Sequence, residues 1–355
     1  MLSNNLNLYN LYDSQLREVL LEQDRIRRTT RNTLLRRMAT IILGLSTLLV
    51  VVLPFFVTTM REILSLGGDG PGALSPSSVA LFGVFLLAPS LMLVVPTVAW
   101  WVITLYQQTS TSFQHSFKHA VVTKLIALLS QEMTFVAESY VNRAKFEQSR
   151  LFQREVDAGI IQRYGGETHI YSDNLDEANN VHYELSELTV TSELAQDKPH
   201  KQAVLFKGWF VVLELAQPVH ASILVYPRLS LRQLDHVMDA YTRARLEDPM
   251  FEQHFNVYTT DQVGVRRQLT PRVMEDLLAL RTQLKRAIYL SFQGKRVYVA
   301  LPGQHKQFEV SLFRSVLDPE VIRGLVQELE TVLSIPRVLQ ADVTSSTLSK
   351  SYGHQ

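Results

Sequence analysis

The 355-residue chain contains no cysteine. That absence excludes disulfides, cysteine nucleophiles, thiolate metal sites and lipidated cysteines together, and it weakly favours a reducing compartment. An excess of charge of either sign is also lacking. Thirty-five Lys and Arg stand against 34 Asp and Glu, a formal net charge of +1, so no electrostatic footprint of a nucleic-acid binder exists and no nucleic acid is expected as a partner. The spacings G-x-S-x-G, H-E-x-x-H, G-x-G-x-x-G and Walker A do not occur, which removes the common signatures of hydrolases, metalloproteases and nucleotide binders. The Gly67–Gly72 run, GGDGPG, lacks the Lys-Ser/Thr of a phosphate cradle and reads as a turn. No cofactor and no metal is expected.

Charge is missing altogether from two long apolar runs, Met38–Met60 and Val79–Tyr106. At about 1.5 Å rise per residue a helix over either would cross a hydrocarbon core of about 30 Å. The pattern predicts a two-helix transmembrane hairpin: 38–60 as the first span, 61–78 as an extracytoplasmic loop, 79–106 as the second span. Arg25, Arg27, Arg28, Arg31, Arg36 and Arg37 precede the first run, while the loop carries only Arg61 against Glu62 and Asp69. The positive-inside rule then places both termini in the cytoplasm. Arg36, Arg37, Trp100, Trp101 and Tyr106 are the expected interface residues, with the bilayer, including anionic lipids met by the arginines, as a partner. Pro54, Pro89 and Pro96 predict kinks. No Asp, Glu, Lys, Arg or His lies within either run, which disfavours transport.

Residues 1–37 read as an Arg-rich helical segment. Residues 107–150 read as an amphipathic helical stalk, because Val121, Leu125, Leu129, Met133, Val136 and Tyr140 recur at three- or four-residue spacing. His115 and His119 could share a helix face, and without a third ligand they read as an interfacial pair.

From Leu151 the pattern changes to short alternating runs. Val181–Val190, Ala203–Leu215 and Ala221–Tyr226 read as strands, and Tyr289–Phe292 with Arg296–Leu301 as a hairpin around Gln293-Gly294. Thr270-Pro271 opens a helix to about Lys285, and Asp318-Pro319 one to about Leu333; Asp248-Pro249 looks like the same device, an N-cap followed by proline. The grouping predicts an α+β class with a mainly antiparallel sheet over 151–338. The Ser/Thr-rich tail, 339–355, is expected to be disordered.

Within this region, LEDPMFEQHFNVYTTDQVGVRRQLTPRVMEDLLAL (Leu246–Leu280), YELSEL (Tyr183–Leu188), LFKGWF (Leu205–Phe210), VYP (Val225–Pro227) and the stretch from Phe292 to Phe313 together resemble a bacterial membrane-protein family known only as domain of unknown function 3137. Gly264-Val265-Arg266 departs from it, since the family tends to carry Glu-Ala-Arg there. The resemblance implies a membrane-anchored bacterial protein and no established reaction. Relatives are often encoded beside small membrane proteins of the LemA type, which implies a LemA-type partner. The family-motif residues Asp248, Pro249, Phe255, Tyr258, Thr260 and Asp261 are the candidate interaction site. Asp248 and Thr260 also suit helix caps, and Tyr258 a strand. Thr259-x-x-Gln262 could form a capping box around Asp261.

The resulting expectation is an inner-membrane-anchored cytoplasmic interaction or scaffold protein with protein partners or a homo-oligomeric state. The alternatives are a membrane-tethered enzyme using the Asp248–Asp261 region, or a pore or transporter component.

Overall fold

The computed structural model describes residues 2–66, 76–129, 133–157, 159, 161–172, 182–193, 202–215, 217–219, 221–228, 240–303 and 310–348. Among helical side chains before residue 96, those of 16–47, 50, 54 and 58 are described. The chain divides into two compact units. One comprises 1–17, 118–309 and 319–355; the other comprises 18–117 and 310–318.

The first unit is built on a nine-stranded sheet of described residues, antiparallel at every pairing, in the order β1-β2-β3-β4-β9-β8-β5-β7-β6. The strands are β1 (Met133–Ala137), β2 (Ile161–Ser172), β3 (Tyr183–Glu193), β4 (Gln202–Glu214), β5 (Ile223–Pro227), β6 (Thr242–Ala244), β7 (Phe255–Thr259), β8 (Tyr289–Gln293) and β9 (Arg296–Pro302). The expected α+β class with an antiparallel sheet holds for this unit. β8 and β9 form the hairpin expected at Gln293-Gly294, with Gly294 at φ +58°, the left-handed conformation that glycine adopts without penalty.

Strand alternation gives the sheet two apolar faces. Leu188, Val190, Phe206, Phe210, Val212, Leu224 and Tyr298 are buried on one, together with Phe146 of α4 (Arg143–Gln148) and Phe152, just before α5 (Gln153–Asp157). The Phe146 and Phe152 rings stack at 4.9 Å. Trp209, Val211, Leu213, Val297, Val299 and Leu301 are buried on the other face, in register across β4 and β9, where α9 (Pro319–Leu348) lies against β4 and α8 (Pro271–Leu284) packs on α9. Sheets buried on both faces read as continuous hydrophobic runs, which is why LFKGWFVVL stands out in the sequence.

Four expectations need correction. Two helices occupy the region read as a hairpin of membrane spans, α1 (Leu2–Leu66) and α2 (Pro76–Phe117), but no helix of the described residues is long and apolar enough to cross a membrane. The transmembrane hairpin, and with it the multi-pass inner-membrane localisation, is corrected on that finding. Crossing takes about 20 consecutive, mainly apolar residues. Within the first run Thr40, Ser46 and Thr47 donate their hydroxyls to carbonyls of their own helix. The rest of both runs lies largely outside the described side chains, as does the loop 67–75.

The second correction concerns the stalk. α2 passes into a single π-helical turn (Lys118–Val122), then α3 (Thr123–Leu129), and Met133–Ala137 is strand β1, paired residue for residue with β2 from Met133↔Ser172 to Ala137↔Thr168. Met-Thr-Phe-Val-Ala carries both a helical and a strand period, and the β-branched and aromatic residues suit the strand once β2 is present. Third, α9 runs on to Leu348, past both the expected end near Leu333 and the start of the tail; Ser and Thr cost a growing helix little. Residues 349–355 lie outside the described residues. Fourth, β1, β2 and β6 were not foreseen.

The second unit is held by a buried ion network. Asp24 and Arg27 are both buried. Arg27 Nε donates to Asp24 Oδ1 at 2.8 Å, Arg28 Nε donates to Oδ2 at 2.7 Å, and Ser315 Oγ donates to Oδ1 at 3.3 Å. Arg27 Nη1 donates to the Leu312 carbonyl at 2.9 Å. Tyr106 stacks on Phe313, ring centroids 6.1 Å apart. Trp100 and Trp101 are exposed, as are Arg36 and Arg37.

Candidate functional site

The family-motif residues are spent largely on local structure. Asp248 caps α6 (Pro249–His254): its Oδ1 accepts from Met250 N at 2.8 Å and Phe251 N at 3.1 Å, with Pro249 in the first turn. Phe255 opens β7, is buried, and stacks with Phe251 at 4.8 Å. Tyr258 lies on β7 opposite Leu224, its ring edge-on to Tyr226 at 6.2 Å. Thr260 Oγ1 accepts from Ser222 N at 3.2 Å, tying the end of β7 to the start of β5. Asp261 Oδ1 accepts from Val263 N at 2.8 Å. The expected capping box does not form. Thr259 Oγ1 accepts from Asp261 N at 3.1 Å in a local turn, and Gln262 Nε2 reaches Thr242 Oγ1 at 2.9 Å and the Arg243 carbonyl at 3.2 Å. The motif therefore binds β5, β6 and β7 together.

The densest cluster of titratable groups lies elsewhere, around Glu184 at the start of β3. Its side chain shares a sheet face with Leu188 and Val190, and a carboxylate there needs partners. Lys145 of α4 donates to Oε1, His182 Nε2 stands 3.5 Å from Oε1, and His169 Nε2 of β2 stands 3.6 Å from Oε2. Burial pushes the Glu184 carboxyl up, but His169 and Lys145 outweigh it and hold it down at about 2. His169 Nδ1 in turn lies 3.3 Å from Ser139 Oγ, and Ser139 follows Glu138, which sits at φ +59°. The residue types match a Ser-His-Glu hydrolytic array. The geometry does not: 3.6 Å is beyond hydrogen-bond reach, and the Lys145 ammonium already neutralises the acid. The cluster is an ion-pair network that fastens α4 and the 138–142 strap onto the sheet. Val141 N donates to Ser186 Oγ at 2.9 Å, and Tyr164 Oη donates to the Val141 carbonyl at 2.7 Å. Burial, with Tyr140 and Glu147 nearby, pushes the Tyr164 phenol well above its usual range.

His182 also lines an open cleft of about 1050 Å³ between α4, α5 and the ends of β4, β8 and β9. Arg296 crosses its wall, donating to Glu214 Oε1 at 3.1 Å and to Gln148 Oε1 at 2.8 Å.

Residues 204–340 match the family described as "Protein of unknown function (DUF3137)". The match starts inside β4 and ends inside α9, so the DUF3137 stretch holds the Asp248–Asp261 motif, whereas Glu184, His169, Lys145 and strands β1–β3 precede it. One solved structure, the crystal structure of the mycobacterial trehalose monomycolate transport factor A, TtfA, aligns over 64% of this chain and 92% of its own at 11% identity, with a TM-score of 0.30; a likeness of that score carries no argument about fold or function. No curated protein matches the chain.

Proposed function

We propose that the chain is a binding module without chemistry of its own, and that it assembles with a second copy through the outer edge of β1. The observation that carries this reading is the contrast between the sheet's two outer strands. An edge strand offers backbone N–H and C=O groups to any incoming strand, and proteins commonly blunt such edges with charge, proline or a covering side chain. β6 is blunted: Arg243 is exposed there, and Gln262 takes up the Arg243 carbonyl. β1 carries neither charge nor proline, its outer side pairs with no strand among the described residues, and Val136 is 38% exposed. Two uncharged strands meeting across a two-fold axis place no like charges opposite one another.

Catalysis through the Asp248–Asp261 region has less support, because both carboxylates already accept backbone N–H groups. The test is sedimentation of the full chain over a concentration series. A dimer is expected for the wild type and a monomer for Val136→Lys. A wild type that stays monomeric at every concentration, or a variant that dimerises equally well, overturns the reading.

A further inference from the structure

The π-helical turn at Lys118–Val122 places Lys118 where a continuous α-helix would not. Such turns are rare and gather at functional sites. Lys118 is 9% exposed and faces Glu187 on β3, Nζ to Oε2 3.7 Å. The pair lies in the wall of a cavity of about 690 Å³ over β2, β3 and β4, a size that admits a small ligand.

Strand register fixes what else enters it. Thr189 stands opposite Lys207 on one side and Gly165 on the other, and Arg163 stands opposite Thr191. One sheet face thus brings an ammonium, a guanidinium and two hydroxyls to the cavity over a glycine that adds no bulk. Among the described residues the Arg163 and Lys207 side chains have no ion-pair partner, and the buried Thr191 Oγ1 has no hydrogen-bond partner. Buried hydroxyls are normally satisfied. Among the described lining residues three cations, Lys118, Arg163 and Lys207, stand with one acid, Glu187.

We propose that this cavity binds the phosphoryl group of a small phosphomonoester. Phosphate fits on two counts: it carries a charge near −2, and it offers three acceptor oxygens to charge-assisted donors. A carboxylate supplies half of each. Glu187 faces Lys118, and an incoming dianion would be met by Arg163, Lys207 and the threonine hydroxyls.

The test is isothermal titration calorimetry on the full chain at fixed ionic strength, with inorganic phosphate, glycerol 3-phosphate and adenosine monophosphate as probes and acetate as control. Saturable binding of at least one phosphoryl probe is expected, weakened tenfold or more in Arg163→Gln and in Lys207→Gln, both exposed positions whose loss should leave the fold intact by circular dichroism. Equal affinity for all three probes assigns the site to the phosphoryl group alone; tighter binding of one ester assigns it to a carried phosphate. Absence of binding by every phosphoryl probe overturns the proposal. So does an acetate affinity equal to theirs, or binding that survives both substitutions.

Discussion

Arg27 Nη1 donates to the carbonyl oxygen of Leu312 at 2.9 Å, across 285 positions of sequence. The same guanidinium holds Asp24, so one buried side chain joins α1 to the segment before α9. Arginines that look like a basic flank in the linear sequence are, at Arg27 and Arg28, structural partners of an acid.

Asp24→Ala is expected to destabilise the protein by about 3–5 kcal/mol, because it strands a buried guanidinium. Burial alone would raise the Asp24 carboxyl, but the hydrogen bonds and charges of Arg27 and Arg28 hold it below its ordinary value. A depressed carboxyl contributes stability that is complete above its unfolded pKa and is lost as pH falls through the folded one. Denaturation of wild type and variant at pH 7 and pH 3 checks both points, with the gap between them narrower at pH 3.

Glu184 sharpens the same reasoning. Its folded value of about 2 against an ordinary 4.5 corresponds to about 3 kcal/mol, present above pH 4.5 and lost between there and pH 2. Urea midpoints of wild type and Glu184→Gln should therefore differ at neutral pH and converge near pH 2. Parallel curves over the whole range would contradict the ion-pair assignment.

Gly208→Ala and Gly294→Ala compare close approach added to a positive φ with a positive φ alone. A Cβ at Gly208 would lie 2.1 Å from the Leu301 carbonyl oxygen, a backbone atom fixed by the β4–β9 pairing, and about 3 kcal/mol or more of destabilisation is expected. At Gly294 the space is open and only the left-handed φ resists, for about 1–2 kcal/mol. Thermal midpoints should rank Gly208→Ala well below Gly294→Ala.

The two proline-marked caps should differ in strength. Asp248 accepts two bonds, at 2.8 and 3.1 Å, whereas Thr270 accepts one at 3.4 Å from Val273 N. Asp248→Ala is expected to cost about 1–2 kcal/mol and Thr270→Ala about 0.5–1 kcal/mol. Equal losses in chemical denaturation would mean that cap geometry does not set the difference.

What was legible in the sequence is what short-range chemistry decides. Asp248-Pro249 and Thr270-Pro271 start helices, Gln293-Gly294 turns a hairpin, and the apolar run of β4 fills a doubly covered strand. β1 was read as helix because Val121, Leu125, Leu129, Met133 and Val136 keep a helical spacing, and only pairing with β2 decides otherwise. The Glu184 cluster was invisible for a related reason. Lys145, His169 and His182 are unexceptional singly, and it is the register of β2 with β3 and the docking of α4 that bring them to one carboxylate. Nothing in the sequence around Lys118 announces a π-turn. For the membrane reading, composition alone suggested two spans, and no helix of the described residues meets the length and apolarity that a span requires.

The position of β9 beside β4 has a consequence in time. Glu214 and Arg296, which close that seam, are 82 residues apart. At about 5–20 residues per second, a ribosome that has finished β4 needs roughly 4–16 seconds to deliver the strand that covers it. Throughout that interval Trp209, Val211 and Leu213 stand on a bare apolar edge, so the nascent chain has a defined window in which a chaperone, or a misplaced strand from a neighbouring chain, competes with its own C-terminal half.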